Sequence, residues 1–158
     1  MSLTLAKQAL AAYGAADRIR EFDGSSATVA LAAEALHCAP ARIAKTLSFL
    51  VDGTPVLIVA AGDAKIDNSK YKAQFHTKAV MLPCDDVESK IGHAVGGVCP
   101  FGVKSNVSVY LDISLQRFET VFPAAGSANS AIELTLAELE EYSASSGWVD
   151  VCKNWESL

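Results

Sequence analysis

Residues 45–61 read KTLSFLVDGTPVLIVAA, and this stretch decides the fold. Two apolar runs flank Asp52-Gly53, a pair that tolerates the positive φ angles of a tight turn. The stretch therefore predicts a β-hairpin. A short helix over residues 40–44 precedes it, which puts Lys45 at the first position of a central strand. Because an ammonium group buried without a partner is costly, Lys45 is expected to reach solvent, an ion pair or an anionic ligand.

Helix and strand signals follow one another irregularly on both sides of the hairpin. The predicted helices span residues 3–13, 40–44, 67–75, 85–91 and 135–142, and one further helix ends at Leu36. That helix has two candidate N-caps, Ser25-Ser26 or Thr28. The predicted strands outside the hairpin span residues 18–22, 79–82, 106–111, 119–125, 131–134 and 148–151. Strict alternation would indicate a doubly wound fold. The irregular order instead predicts an α+β fold with a mixed, largely antiparallel sheet, partly barrel-like and surrounded by helices.

Composition restricts the class of protein. With 158 residues, 51% of them hydrophobic and 20% charged, the sequence predicts one folded domain over residues 1–158 and excludes disorder. The apolar runs are too short for a membrane span and the N-terminus is unlike a secretory signal, so we expect a cytoplasmic protein without a membrane partner. The four cysteines are scattered without a Cys-x-x-Cys pair, which predicts neither a metal site nor a redox pair.

The charge balance argues against a large nucleic-acid interface. A net charge of −5 gives little general attraction to a phosphate backbone. Four lysines, at positions 65, 70, 72 and 78, still concentrate positive charge in one short segment. A solvated helix face is the simpler interpretation of that segment.

Residues 92–102, GHAVGGVCPFG, form a glycine-rich loop whose amides are candidates for binding phosphate or a developing oxyanion. A purely structural loop is the alternative. The loop is not a P-loop, because Val103 separates Gly102 from Lys104 and Pro100 lacks an amide. Cys99 is a candidate nucleophile with His93 or His76 as its base, although no local signature supports that arrangement.

A third segment, residues 122–129, reads FPAAGSAN. Its small side chains would let a ligand approach the backbone closely. A strand followed by an ordinary turn explains the same residues.

Taken in order along the chain, these segments resemble the YbaK family, whose domain also occurs inserted in, or associated with, prolyl-tRNA synthetase. The resemblance covers about residues 28–143. It rests on AAEAL at 32–36, IAKTL at 43–47, AGD at 61–63, Ile66-Asp67 with Lys70, Gly92-His93, GGVCPFG at 96–102, Asp112 with Leu115, Ala125-Gly126, and Glu133-Leu134 with Leu139. Lys45 and the Gly-x-x-x-Pro loop from Gly96 to Pro100 have the spacing found in the family.

The resemblance implies a freestanding aminoacyl-tRNA deacylase that hydrolyses the ester of a mischarged tRNA without a cofactor or a metal. The implied partners are the 3′ aminoacyl-adenosine end of that tRNA and prolyl-tRNA synthetase. Lys45 would be the essential lysine, and amides near Gly96 and Gly97 would face the ester carbonyl. The implied substrate-binding residues are Thr46, Lys70, Cys99, Pro100, Ala124 and Gly126.

Two positions bear on the amino acid that is removed. Some YbaK relatives carry serine where Ala124 lies and an acidic residue near Ala131. This chain has alanine at both positions, so the resemblance is as consistent with tRNA-Pro charged with alanine or another small residue as with tRNA-Pro charged with cysteine. A non-catalytic module that binds a tRNA end or a synthetase is the second hypothesis, and a cysteine-dependent hydrolase is the third.

Overall fold

The computed structural model describes residues 2–155. Its helices and strands follow in the order α1 (Ser2–Ala11), β1 (Arg20–Glu21), α2 (Val29–Leu36), β2 (Ile43–Val51), β3 (Thr54–Ala61), β4 (Lys65–Ile66), α3 (Asn68–Phe75), α4 (Cys84–Ile91), β5 (Ser108–Asp112), β6 (Thr120–Pro123), β7 (Ser130–Ala131), β8 (Leu134–Thr135), α5 (Leu136–Tyr142), β9 (Gly147–Val149) and β10 (Cys152–Lys153). Three 3-10 helices, Ala16–Arg18, Pro40–Arg42 and Ile113–Arg117, connect some of them. No helix in this part of the chain is long and apolar enough to cross a bilayer.

The predicted hairpin is confirmed. β2 and β3 pair in antiparallel fashion from Ala44 opposite Ala61 to Val51 opposite Thr54. Asp52 and Gly53 form the turn with φ angles of 51° and 82°. Both angles are positive, as a two-residue turn between twisted strands requires.

The hairpin lies at the centre of a six-stranded sheet with the order β8-β6-β2-β3-β5-β9. The predicted mixed sheet is confirmed, but this sheet is not largely antiparallel: β2–β3 and β6–β8 are antiparallel, whereas β2–β6, β3–β5 and β5–β9 are parallel. The parallel pairs arise because long connections, such as the one through α3 and α4 between β3 and β5, carry the chain back across the sheet. The sheet curls into a half-barrel, with helices packed around it. Two small antiparallel pairs, β1–β7 and β4–β10, lie outside it.

Two hydrophobic clusters hold the layers together. The larger contains most of β3, whose residues Leu57–Ala61 are fully buried between the neighbouring strands and helices. The smaller joins α2 to the start of β2 and to β6, through Leu36, Ile43 and Phe122. Helix α2 therefore covers one end of the sheet, beside the residues that precede Lys45.

Several element boundaries differ from the sequence prediction. The helix at Pro40 ends at Arg42, so β2 begins at Ile43 and Lys45 is its third residue, not its first. The predicted strand 79–82 reduces to one bridge between Phe49 and Met81, because the segment turns into α4 directly afterwards. The predicted strand 131–134 is two short strands, β7 and β8, which pair with different partners.

Capping residues were the most reliable local signals. The side chain of Thr28 accepts a hydrogen bond from the Leu31 amide and caps α2. Asp67 caps α3 in the same way through two amides. Thr135 and Glu138 form a reciprocal capping box at the start of α5. These helices begin where the sequence predicts, because each cap satisfies orphan amides locally.

Candidate functional site

A cavity of about 340 Å³ opens where β2 changes its partner. β6 pairs with β2 only at Ile43 and Ala44. Further along the same edge, the Ser48 carbonyl accepts a hydrogen bond from the Leu82 amide at 3.0 Å. Between these two pairings the edge of β2 at residues 45–47 borders the cavity, so that strand residues, not only loops, line it.

Five segments supply the walls. The lining residues are 26–29 and Ala32 from α2 and the turn before it, residues 43–48 of β2, Met81, Leu82, Cys84 and Val87, the loop residues Val95, Gly96 and Val98, and Phe122, Ala124, Ser130 and Ala131. Most of these side chains are apolar. No acidic side chain lines the cavity among residues 2–155. Such a cavity suits a neutral organic group better than a cationic one.

Lys45 is half-buried in the wall of this cavity. Its ammonium group donates hydrogen bonds to the main-chain oxygens of Gly62, at 3.4 Å, and Ala64. Burial lowers the pKa of Lys45 below its ordinary value, while Cys152 and Asp63 oppose that effect. The side chain is therefore a fixed cation with two of its three N–H groups directed at carbonyls.

Thr46 contributes the second polar group of the wall. Its hydroxyl oxygen is buried and has no hydrogen-bond partner among the described residues. A buried hydroxyl without a partner costs free energy, and this oxygen is closed off from a ligand in the cavity as the structure stands. Thr46 was predicted to bind substrate; the residue lines the cavity, and its contact with substrate stays a prediction.

The glycine-rich loop reaches the cavity at Gly96, whose φ of 93° lies in the region that favours glycine. Gly97 does not line the cavity. Its amide donates to the Ala94 carbonyl at 2.9 Å, inside the loop. A Cβ on residue 97 would lie 2.8 Å from the Gly126 oxygen, so Gly97 and Gly126 pack backbone against backbone.

Cys99 lies behind the loop and not in the cavity. It is fully buried, and its sulfur lies 3.5 Å from Nε2 of His93, which is also fully buried. Burial raises the pKa of the Cys99 thiol to about 12. Burial also lowers the pKa of His93, whose Nε2 lies 2.6 Å from the Phe101 carbonyl. A buried thiol of this pKa is poorly suited to act as a nucleophile, which argues against a cysteine-dependent hydrolase.

The structure thus brings together four of the predicted site residues, Lys45, Thr46, Gly96 and Ala124, around one cavity. Lys70 lies elsewhere, where its ammonium group donates to Asp150 and to the Cys152 carbonyl, each at 3.1 Å. The other predicted residues that do not line the cavity are Gly97, Cys99, Pro100 and Gly126. A substrate contact by Lys70 or by these four stays a prediction.

Sequence reasoning missed the residues that surround Lys45. Arg117, which binds Asp63, lies 54 positions from it along the chain and carries no local signal. Val29 and Met81 line the cavity from two separate elements, and neither is distinguished in the sequence from an ordinary apolar residue, whereas Phe122 opens the segment 122–129 that the sequence singled out. Only knowledge of how all the strands of the sheet pair would have placed these residues at one cavity. No group of three or more His, Cys, Asp or Glu side chains within residues 2–155 has the arrangement of a metal site.

Known proteins resemble this chain in sequence and in fold. The sequence model of the family described as "Aminoacyl-tRNA editing domain" matches residues 23–142. The chain is 54% identical over 157 residues to "Uncharacterized protein YwhH" of Bacillus subtilis, covering 99% of this chain and 100% of that protein. It is 35% identical over 104 residues to "Putative Cys-tRNA(Pro)/Cys-tRNA(Cys) deacylase EbsC" of Enterococcus faecalis, covering 65% of this chain and 63% of that protein.

A solved structure shares the fold. "Crystal structure of a putative trans-editing enzyme for prolyl tRNA synthetase" superimposes with a TM-score of 0.86 at 24% identity, covering 96% of this chain and 97% of the other. The family match spans more than half of the chain and includes Lys45, Gly96 and Ala124. The resemblance drawn from the sequence is thereby confirmed, and the chain belongs to the family of aminoacyl-tRNA editing domains.

Proposed function

We propose that this protein is a trans-editing aminoacyl-tRNA deacylase, which hydrolyses the ester between a wrong amino acid and its tRNA. The observation that carries the proposal is the shared cavity of Lys45, Thr46 and Gly96 in a chain of the editing-domain family. The cavity wall combines a lysine, a threonine and a glycine loop. Ammonium and backbone amide groups can hold an ester carbonyl. A synthetase pocket distinguishes amino acids that differ by one methylene only about 10–200-fold, so a second, hydrolytic check is useful.

The chemistry requires little more than positioning. Water adds to the ester carbonyl, the bond to the ribose oxygen breaks, and that oxygen leaves with a proton as a hydroxyl of the terminal adenosine. The products are a free amino acid and an uncharged tRNA. Because the ester is already activated, no protein nucleophile is needed once water and carbonyl are held in place. The Lys45 ammonium and the Gly96 amide are the proposed donors to the oxygen that becomes negative in the transition state.

The walls favour an uncharged amino acid. Ala32, Ala124 and Ala131 leave room beside Phe122, and no acidic side chain of the described lining would pair with a cationic substrate. The name of the Enterococcus relative refers to Cys-tRNA, and that of the solved structure to prolyl-tRNA synthetase. We therefore propose tRNA-Pro carrying alanine or cysteine as the substrate, with prolyl-tRNA synthetase as the source of the error and the cytoplasm as the place of action.

A panel of mischarged tRNAs tests the proposal. Purified protein is incubated with Ala-tRNA-Pro, Cys-tRNA-Pro and Pro-tRNA-Pro, and the loss of the ester is followed against a reaction without protein. We expect the first two to be hydrolysed faster than Pro-tRNA-Pro, which is correctly charged. Binding of the tRNA without hydrolysis of any ester in a broader panel would replace this proposal with the binding-module hypothesis.

A further inference from the structure

Lys45 does not hold its position by its own strand alone. Its ammonium group is bonded to the carbonyls of Gly62 and Ala64, which belong to the turn between β3 and β4. That turn is closed by a hydrogen bond from the Ala64 amide to the Ala61 carbonyl at 3.0 Å. The direction of the ammonium group therefore depends on how firmly residues 62–64 are held.

Arg117 holds the turn from one side. Its two terminal nitrogens donate to the two carboxylate oxygens of Asp63, at 2.9 and 2.6 Å. Such a bidentate arginine–carboxylate pair fixes orientation as well as distance. The Arg117 side chain is only 10% exposed. The Arg117 hydrogen bond also lowers the pKa of Asp63, which keeps that carboxyl group ionised.

Arg117 is itself immobilised. Its Nε donates to the Ser114 carbonyl at 2.9 Å, and a terminal nitrogen donates to the Trp155 carbonyl at 2.8 Å. The guanidinium carbon lies 4.9 Å from the Phe118 ring centre and 5.3 Å from that of Trp155. Ser114 in turn accepts a hydrogen bond from the Ala61 amide at 3.1 Å, so the same 3-10 helix anchors the start of the turn.

The other side of the turn has no room to move. A Cβ on residue 62 would lie 2.0 Å from the Pro40 carbonyl oxygen and 2.8 Å from Cγ1 of Val29. Val29 lines the cavity. The turn is thus packed between Arg117 on one side and Pro40 and Val29 on the other, which restricts the movement of its carbonyls.

We propose that Arg117 is a positioning residue for deacylation: by binding Asp63 it fixes the carbonyls of Gly62 and Ala64, which hold the ammonium group of Lys45, a residue of the cavity wall. This role rests on the proposed function, because that function gives Lys45 its contact with the ester. Arg117 itself does not line the cavity.

The arrangement also sets the charge around Lys45. The groups that act on its ammonium are Asp63 on the turn, Lys65 on β4 and Cys152 on β10. Asp63 favours the ammonium form and Lys65 opposes it. Burial raises the pKa of the Cys152 thiol to about 12, which leaves the thiol neutral at working pH. Asp63 is therefore the ionised group that supports the Lys45 charge during the reaction.

Two substitutions and a matched control test the role. Asp63→Asn removes the carboxylate charge and one of the two acceptors, and Arg117→Lys keeps the charge but loses the planar fork. Arg18→Ala is the control, because Arg18 makes a comparable bidentate pair with Glu138, at 2.7 and 3.1 Å, away from Lys45. Steady-state hydrolysis of the best mischarged tRNA is measured across pH, so that kcat and KM are obtained separately, with the spontaneous rate subtracted.

We expect Asp63→Asn to lower kcat by about 10- to 100-fold with little change in KM, since the ammonium loses its direction while the tRNA still binds. Because hydrolysis needs the ammonium form, kcat falls as pH rises through the pKa of Lys45. Loss of the Asp63 charge lowers that pKa. The alkaline side of the plot of kcat against pH, its alkaline limb, should therefore move to lower pH. Arg117→Lys should give an intermediate kcat, and Arg18→Ala should match the wild type in both measurements.

A structural role alone would not move the alkaline limb. Wild-type kcat and an unmoved limb in folded Asp63→Asn would overturn the inference, as would an equal loss of kcat in Arg18→Ala. Should Asp63→Asn fail to fold, Arg117→Lys takes its place, and wild-type kcat there would be equally decisive. A wild-type protein that hydrolyses no mischarged tRNA is a different result, which would overturn the proposed function and this role together.

Discussion

The backbones of Gly97 and Gly126 are in direct contact, because neither residue places a side chain between them. A Cβ on residue 97 would lie 2.8 Å from the Gly126 oxygen and 2.9 Å from Cα of Ser127. The contact joins the glycine-rich loop to the turn after β6. Gly96 of the loop and Ala124 of the segment after β6 both line the cavity. The width of the cavity between loop and turn is therefore set by a pair of residues outside its lining.

Replacement of Gly97 by alanine tests this contact. The added methyl group meets main-chain atoms, which must move, so we expect the free energy of unfolding to fall by about 1–3 kcal/mol and hydrolysis to fall with it. Gly24→Ala is the control, because a Cβ there has no atom within 4 Å. Urea unfolding and deacylation rates measure the two effects. Wild-type stability and activity in Gly97→Ala would mean that the loop is free to shift.

Cys99→Ala is expected to retain most of the deacylase activity. The thiol is fully buried, its pKa is raised to about 12, and it does not line the cavity. Loss of the sulfur from a packed interior should cost about 1 kcal/mol of stability. In native protein, iodoacetamide should modify the exposed Cys84 and spare Cys99. A folded Cys99→Ala protein without turnover would restore the cysteine-hydrolase hypothesis.

The sequence predicted those parts of the fold that depend on neighbouring residues. The turn at Asp52-Gly53 and the caps at Thr28 and Asp67 follow from local backbone chemistry, which is why the central hairpin and two helices were correctly placed. The cavity depends on β2 changing its partner from β6 to residues 80–82. That change is a property of the sheet, which local patterns do not encode.

The site residues also divide into those with a local sequence signal and those that depend on distant parts of the chain. Family spacing identified Lys45 and Gly96, and both line the cavity. Arg117 could not be found in this way, because its pairing with Asp63 spans 54 positions and depends on where the 3-10 helix after β5 lies. Lys70 was also implied by the resemblance; its ammonium group is bonded to Asp150 and the Cys152 carbonyl, and its contact with substrate stays a prediction.

Part of the loss of stability on acidification should come from Glu138. Hydrogen bonds from Arg18 and from the Thr135 amide lower the pKa of this carboxyl group to about 2 from its ordinary 4.5. A lowered carboxyl pKa stabilises the fold above the ordinary value, and the contribution disappears as pH falls towards about 2. Glu138→Gln should therefore be less stable than wild type at neutral pH, and the gap should narrow below about pH 4.5.

Thermal or urea unfolding of both proteins between pH 7 and pH 2 measures that gap. Glutamine retains an acceptor for the helix cap, so the comparison isolates the charge. A gap that is constant across the whole range would show that the ion pair with Arg18 contributes nothing.

Binding of tRNA to the isolated protein should be weak and should decrease modestly with salt. The chain has 13 basic and 18 acidic side chains, and its net charge is −5. Each phosphate contact contributes roughly 0.7–0.9 to the slope of log K against log salt, so recognition of the terminal nucleotides predicts a slope of about 2–3. Titration of labelled tRNA at several salt concentrations gives the slope. A slope typical of many phosphates would indicate an extended interface instead.

The central claim is that the Lys45 ammonium group stabilises the transition state of ester hydrolysis. Its most direct test is the single-turnover rate at which Lys45→Ala hydrolyses a mischarged tRNA that the wild type hydrolyses. Circular dichroism is the folding control. Lys104→Ala is the control variant, because Lys104 lies outside the cavity lining. We predict a folded Lys45→Ala protein whose rate is lower by about 10²–10³-fold, and an unchanged rate for Lys104→Ala. A folded Lys45→Ala protein with a near-wild-type rate would contradict the account and place the catalytic groups elsewhere.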